Sequence, residues 1–342
     1  MPDFEFACLP TAIGSMPHTD PEEACSIVRK YLPTIPTWPQ LPTRSPKESM
    51  YIQFSEGFPG AVINEDKIHI EPSASFDAKV EQIYVDCEED KPGKYEVSAE
   101  YAAGLHAFLS LKDQRPAMVK GQIIGPITWG LTITDQDNRA ILYDETLAEI
   151  MAKFLRLKAA WQENFLREIS PSTIIFVDEP YLTSLGSAVV AIPNEKVTAL
   201  LEETFKGIKG IKGVHCCGNT DWSLLLRTSA DIISFDAYNF ASSLSIYPTE
   251  VKSFLTRGST IAWGIVPNDE EALARESLPS LRDRLEEAMA PFTRNGFKFK
   301  QIVKQGLLTP SCGLRGLSPE ASVRALELLA ELSDNLRRQY SV

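Results

Sequence analysis

IKGVHCCGNTDWSLLLRTSADIISFDAYN, residues 211–239, holds the fold in miniature. A short β-rich run ends near residue 216, a helix-compatible stretch follows, and a second β-rich run ends near 236. Strand-sized apolar runs separated by helical stretches mark βαβ units and a parallel sheet. The alternation recurs along the chain, with strand-like segments ending near residues 13, 39, 124, 177, 216, 236, 266 and 311. Eight such units are what a (β/α)8 barrel requires. The expected fold class is therefore α/β, a single TIM barrel spanning 1–342.

Helix starts are legible too. Asp20-Pro21-Glu22-Glu23 offers an N-cap, a proline at the first helical position and two acids at the positive end of the helix dipole. Asp144 is placed to cap the longest predicted helix, in which Leu147, Ile150, Met151, Phe154, Trp161 and Phe165 form a core stripe. From Pro319 the last helix repeats the pattern with Val323, Leu326, Leu329 and Leu332. Residues 43–115 exceed a minimal barrel: they contain a predicted hairpin, GAVINEDKIHI, and two helical stretches. They are read as an insertion between the second and third strands, covering the face where barrels carry their chemistry.

The 342 residues hold 34 Lys plus Arg against 46 Asp plus Glu, a net charge of −12. That carboxylate excess argues against a nucleic-acid binder, which needs clustered cations. Apolar residues at 44% and charged ones at 23% describe a folding chain. No apolar run approaches the roughly 18 residues of a membrane helix. The start, MPDFEFACLP, has acids where a secretory signal has a basic stretch, so a cytoplasmic, reducing location is expected. Six cysteines then read as buried small residues, or as metal and redox groups, rather than as disulfides.

In a barrel the chemistry sits at the C-terminal ends of the strands. Here those ends read IGSMP (13–17), PQLPT (39–43), GPITW (125–129), VDEP (177–180), HCCGN (215–219), FDAYN (235–239), GIVPN (264–268) and PSCGLRG (310–316). Successive strand side chains point to opposite faces, so His215 and Cys217 share a side and Cys216 points away. With Cys312 from the last strand they make three ligands and leave an exchangeable position, the pattern of a catalytic zinc site. Packing alone is the plainer reading of a His-x-Cys strand. Asp236 can be a fourth ligand or an acceptor for His215. Asp178, ending the apolar strand TIIFV, needs a cation, either a substrate ammonium or a neighbouring Arg or Lys. Ser15, after Ile13 and Gly14, presents a hydroxyl and backbone N–H groups to a carboxylate, or simply makes a turn. His18, His69 and His106 have no comparable setting.

Together IGSMP, VDEP, His215-x-Cys217, ADIISFD and PSCGLRG resemble the catalytic barrel of cobalamin-independent methionine synthase. The wider superfamily includes uroporphyrinogen decarboxylase and the methylcobamide:coenzyme M methyltransferases. The resemblance implies a methyltransferase in which zinc activates the homocysteine thiol. Its ligands would be His215, Cys217 and Cys312, with Asp236 where the family has Glu. Asp178 would hold the homocysteine ammonium, Ser15 its carboxylate beside Ile13 and Gly14, and Glu48 in PKESM would assist at the ammonium. Two departures concern the donor. The family's synthases carry two barrels, and their Asp-Ile-His-Ser-Pro stretch, whose His is linked to protonating methyltetrahydrofolate, is here Gly264-Ile265-Val266-Pro267-Asn268. The expected donor is therefore methylcobalamin or a methylated corrinoid protein. The alternative thiol is coenzyme M, whose sulfonate Asp178 would repel.

Overall fold

Runs of Val, Ile and Phe buried on both faces form parallel strands, because every backbone polar group then finds a partner in the ladder. The computed structural model describes residues 4–65, 67–186, 190–294 and 296–342. Its strands are β1 (Leu9–Pro10), β2 (Ala61–Asn64), β3 (Lys67–Ile70), β4 (Val119–Ile124), β5 (Thr173–Asp178), β6 (Ile211–Cys216), β7 (Ile232–Phe235), β8 (Thr260–Val266) and β9 (Gly306–Pro310). β2 and β3 pair as the expected antiparallel hairpin. The other seven form one curled parallel sheet in the order β1-β9-β8-β7-β6-β5-β4.

The segment expected to end a strand near 39 makes only isolated parallel bridges, Thr37 to Lys120 and Ser15 to Gln40. Trp38 N donates to Lys120 O (3.3 Å), and Gln40 N donates to Gly14 O (3.0 Å). The segment thus lies between the β4 edge and the continuation of β1. Pro33, Pro36 and Pro39 offer no N–H to a ladder, which is why seven strands and one bridged segment stand where eight strands were expected.

Inside the curl, Phe6, Leu9, Ile35, Met118, Ile174, Phe176, Ile211, Ile232, Ala262 and Leu307 form an apolar floor. Ile174, Phe176 and Asp178 share a face of β5, so each step of two residues climbs from that floor toward the C-terminal rim. Around the outside, helices bury the other strand face. Asp20 Oδ1 accepts from Glu22 N (2.9 Å) to start the helix Pro21–Tyr31, and Asp144 Oδ1 accepts from Leu147 N (2.8 Å) to start Glu145–Leu166. The latter buries Ile150, Met151 and Phe154 and packs Leu147, Trp161 and Phe165 partly. Residues 43–115 contain the hairpin and the helices Phe76–Glu88 and Ala103–Ala107. Among the described residues no helix is long and apolar enough to cross a membrane.

Candidate metal and substrate site

Alternation along β6 sends His215 and Cys217 to the inner side of the rim and Cys216 into the layer between sheet and helices. The turn after β9 brings Cys312 to them. The ligating atoms of His215, Cys217 and Cys312 all lie within 4.8 Å of one another. A tetrahedral ion with ligand distances of about 2.0–2.3 Å holds its donors roughly 3.3–3.8 Å apart, so small side-chain rotations close the set. His215 Nδ1 is 2.9 Å from Ser234 Oγ, across the β6–β7 register that pairs the two residues. With the hydroxyl accepting from Nδ1, the Nε2 lone pair is left for an ion, and Nε2 is buried without a hydrogen-bond partner.

The Cys312 thiol and the His215 imidazole beside it hold the Cys217 thiol well below the usual cysteine range, while Cys217 and burial hold Cys312 high. Cys216 is different: burial pushes it up to about 12, and its Sγ donates to Gly218 O at 3.6 Å. Cys8, Cys25 and Cys87 are likewise buried and raised, to about 12, 12 and 11. All six cysteines are free.

Asp236 is not brought into this group. Its Oδ1 accepts from Asn239 N (2.8 Å) and its Oδ2 from Asn239 Nδ2 (2.7 Å), which caps the short helix Ala237–Phe240. The position opposite His215 Nδ1 belongs to Ser234, two residues earlier on the same strand face.

A cavity of about 310 Å³ opens beside the cluster, lined by Ile13, Ser15, Glu48, Asp178, His215, Cys217 and Cys312 among others. That volume suits a small amino acid. Asp178 is buried, its Oδ1 has no partner, and no Lys or Arg forms an ion pair with it among the described residues. Burial raises its pKa to about 6, while His215 and Lys120 pull it back. Its neighbour Glu179 faces away, its two oxygens taking Ile127 N (2.8 Å), Thr128 N (2.7 Å) and Thr128 Oγ1 (2.6 Å). Glu48 is fully buried; Arg44 holds its Oε1 at 2.6 Å and Oε2 is unpartnered. Gly14 sits behind the lining with φ +150°, at a point where a Cβ would lie 2.6 Å from Gln122 Cδ.

Gln40, Tyr51, Asn268 and Arg315 also line the cavity, although the sequence motifs did not single them out. Gln40, Asn268 and Arg315 do lie within strand-end stretches, the only signal they carried. The other histidines stay apart: His69 pairs with Glu71 (2.8 Å), His106 with Val97 O (2.9 Å), and His18 is buried. Hollows of 410 and 650 Å³ lie at the N-terminal strand ends and beside the β2–β3 hairpin. Among the described residues they gather no comparable group of soft ligands.

No family model matches the chain, and no curated protein does. Solved structures do. A B12-independent methionine synthase from Shewanella sp. W3-18-1, in complex with selenomethionine, aligns with a TM-score of 0.63 at 17% identity, covering 98% of this chain and 99% of that one. The chain has the fold of the B12-independent methionine synthases. A second match, to a candidate vitamin-B12 independent methionine synthase from Listeria monocytogenes, has a TM-score of 0.58 at 16% identity and covers 93% of this chain and 86% of that one. In this methionine-synthase fold the His215, Cys217 and Cys312 cluster occupies the C-terminal strand ends, the face on which barrels carry out chemistry.

Proposed function

We propose that this chain is a zinc-dependent methyltransferase that transfers a methyl group to the thiol of homocysteine, forming methionine. The observation that carries the reading is a His/Cys/Cys group, its histidine buried and its cysteines half-buried, sharing one cavity with two unpartnered carboxylate oxygens. His215, Cys217 and Cys312 would hold the zinc. Bound there, zinc lowers the pKa of a substrate thiol from about 8.5, so that it is a thiolate at neutral pH. Asp178 takes the substrate ammonium, and Glu48 supports it from the wall of the cavity. Both oxygens lack partners, so an arriving cation satisfies groups that are otherwise costly to bury. Ser15 and its turn take the carboxylate. Ser234 fixes the His215 ring through Nδ1 and thereby aims Nε2. The selenomethionine in the Shewanella protein supports the amino-acid part of the reading, since it matches the product in shape and head group. The stretch 43–115 contributes Glu48, Met50 and Tyr51 to the lining, and on this reading it covers the active-site face of a single-barrel enzyme.

For the donor, the reading rests on residues 264–268. Asn268 is the member of that stretch that lines the cavity, and an amide can donate a hydrogen bond but is too weak an acid to transfer a proton to a folate nitrogen. Chain length carries no weight here, because the Shewanella protein matches over 99% of its length and is described as B12-independent. Methylcobalamin or a methylated corrinoid protein, whose cobalt leaves without protonation, is the proposed donor. Turnover assays with homocysteine and each donor test it: methionine is expected from methylcobalamin, and robust turnover on methyltetrahydrofolate alone would overturn the donor assignment.

A further inference from the structure

Lys120, in the middle of β4, is 0% exposed and forms no ion pair among the described residues. Its Nζ donates to Ile13 O (2.8 Å) and Gln122 Oε1 (3.3 Å) and stands 4.4 Å over the Phe176 ring. A buried ammonium with no carboxylate partner is costly, and a methionine of similar length would fill the same space without that cost. The charge therefore calls for a reason beyond packing.

What it holds is the start of the Ile13-Gly14-Ser15 turn. Gln122, which steadies Nζ, also donates through Nε2 to Trp38 O (3.1 Å) and lies under Gly14, where any side chain would strike it. On the far side of the turn, Ser15 O accepts from Leu314 N (2.8 Å), and a Cβ on Gly313 would lie 2.1 Å from Ser15 Oγ. The turn is thus clamped from below by Lys120 and Gln122 and from the side by residues 313–314. Ile13 and Ser15 line the cavity, and Ile13 O is the atom that Lys120 Nζ holds.

We propose that Lys120 is a positioning and specificity residue: a buried cation that orients the Ile13-Gly14-Ser15 turn and selects substrates bearing a carboxylate. The proposal rests on the amino-acid thiol reading above. Burial draws the Lys120 pKa down to about 7 and Asp178 pushes it back up. A carboxylate bound at the turn that Lys120 holds favours the protonated form further.

Titration of zinc-loaded Lys120→Met with two thiols tests this. Homocysteine carries the carboxylate, and 3-aminopropane-1-thiol is the same molecule without it. Affinity for homocysteine is expected to fall at least about tenfold, with zinc content unchanged and the aminothiol bound as well as by wild type. Unchanged homocysteine affinity, or equal weakening of both thiols, would overturn the proposal. If wild-type protein itself shows no preference for homocysteine over the aminothiol, the substrate reading fails instead, and the role of Lys120 with it. Should Lys120→Met fold poorly, Gln122→Leu, which removes the oxygen steadying Nζ, is expected to show the same selective loss.

Discussion

β5 and β6 each end in two adjacent reactive residues, and in each pair one member faces the cavity while the other faces the protein. Asp178 and Cys217 look inward, where Asp178 Oδ1 lacks a partner and Cys217 meets His215 and Cys312. Glu179 and Cys216 look outward and are satisfied, the first by three donors at the N-terminus of the helix Pro126–Thr132, the second by Gly218 O. One step along a strand separates a group left free for a ligand from a group consumed by the fold. Residue type does not distinguish them; hydrogen-bond satisfaction does.

The sharpest way to break this comparison is at the cysteines. Cys217→Ser is expected to lose zinc and at least about a thousandfold in methyl transfer while remaining folded, because the apolar floor of the curled sheet does not depend on the rim. Cys216→Ser should keep its zinc. Metal analysis and circular dichroism of both variants check this; unfolding of Cys217→Ser would make the metal structural.

Smaller effects are expected at the acids. Glu179→Ala strands donors at a buried helix start and should destabilise the protein by about 3 kcal/mol in chemical denaturation, with zinc stoichiometry intact. Asp178→Asn should leave stability nearly unchanged and raise the homocysteine KM by roughly thirtyfold, as for a lost charge-assisted hydrogen bond. If the two acids exchanged these phenotypes, the assignment of inner and outer faces would be wrong. The smallest effect belongs to Ser234→Ala, which frees the His215 ring and should weaken zinc binding by about tenfold, measured by competition with a chelator.

Much of the fold was legible because strand ends are marked twice, by the close of an apolar run and by the turn residues that follow. Ends expected near 124, 177, 216, 236, 266 and 311 fall at Ile124, Asp178, Cys216, Phe235, Val266 and Pro310. The segment before Pro39 misled because its apolar residues suit a strand and its prolines do not. In the site, the grouping of His215, Cys217 and Cys312 followed from period-two alternation and from the expectation that the last strands curl round beside β6. Ser234 lies in β7 and Asp236 just past its end, two residues on, and only the register against β6 decides that Ser234 meets His215. Lys120 was invisible for another reason. In VKGQII it reads as a stray charge, and where a long side chain ends depends on contacts more than 100 residues away, such as Ile13 O.

The central claim is that the inner-facing cluster binds zinc and that zinc binds the substrate sulfur. Zinc-edge X-ray absorption of the purified protein, with and without homocysteine, tests it most directly. The account predicts one nitrogen and two sulfur ligands from the protein, with one further zinc–sulfur contact when homocysteine is added. A zinc environment unchanged by the thiol, or a zinc site without sulfur, would contradict it.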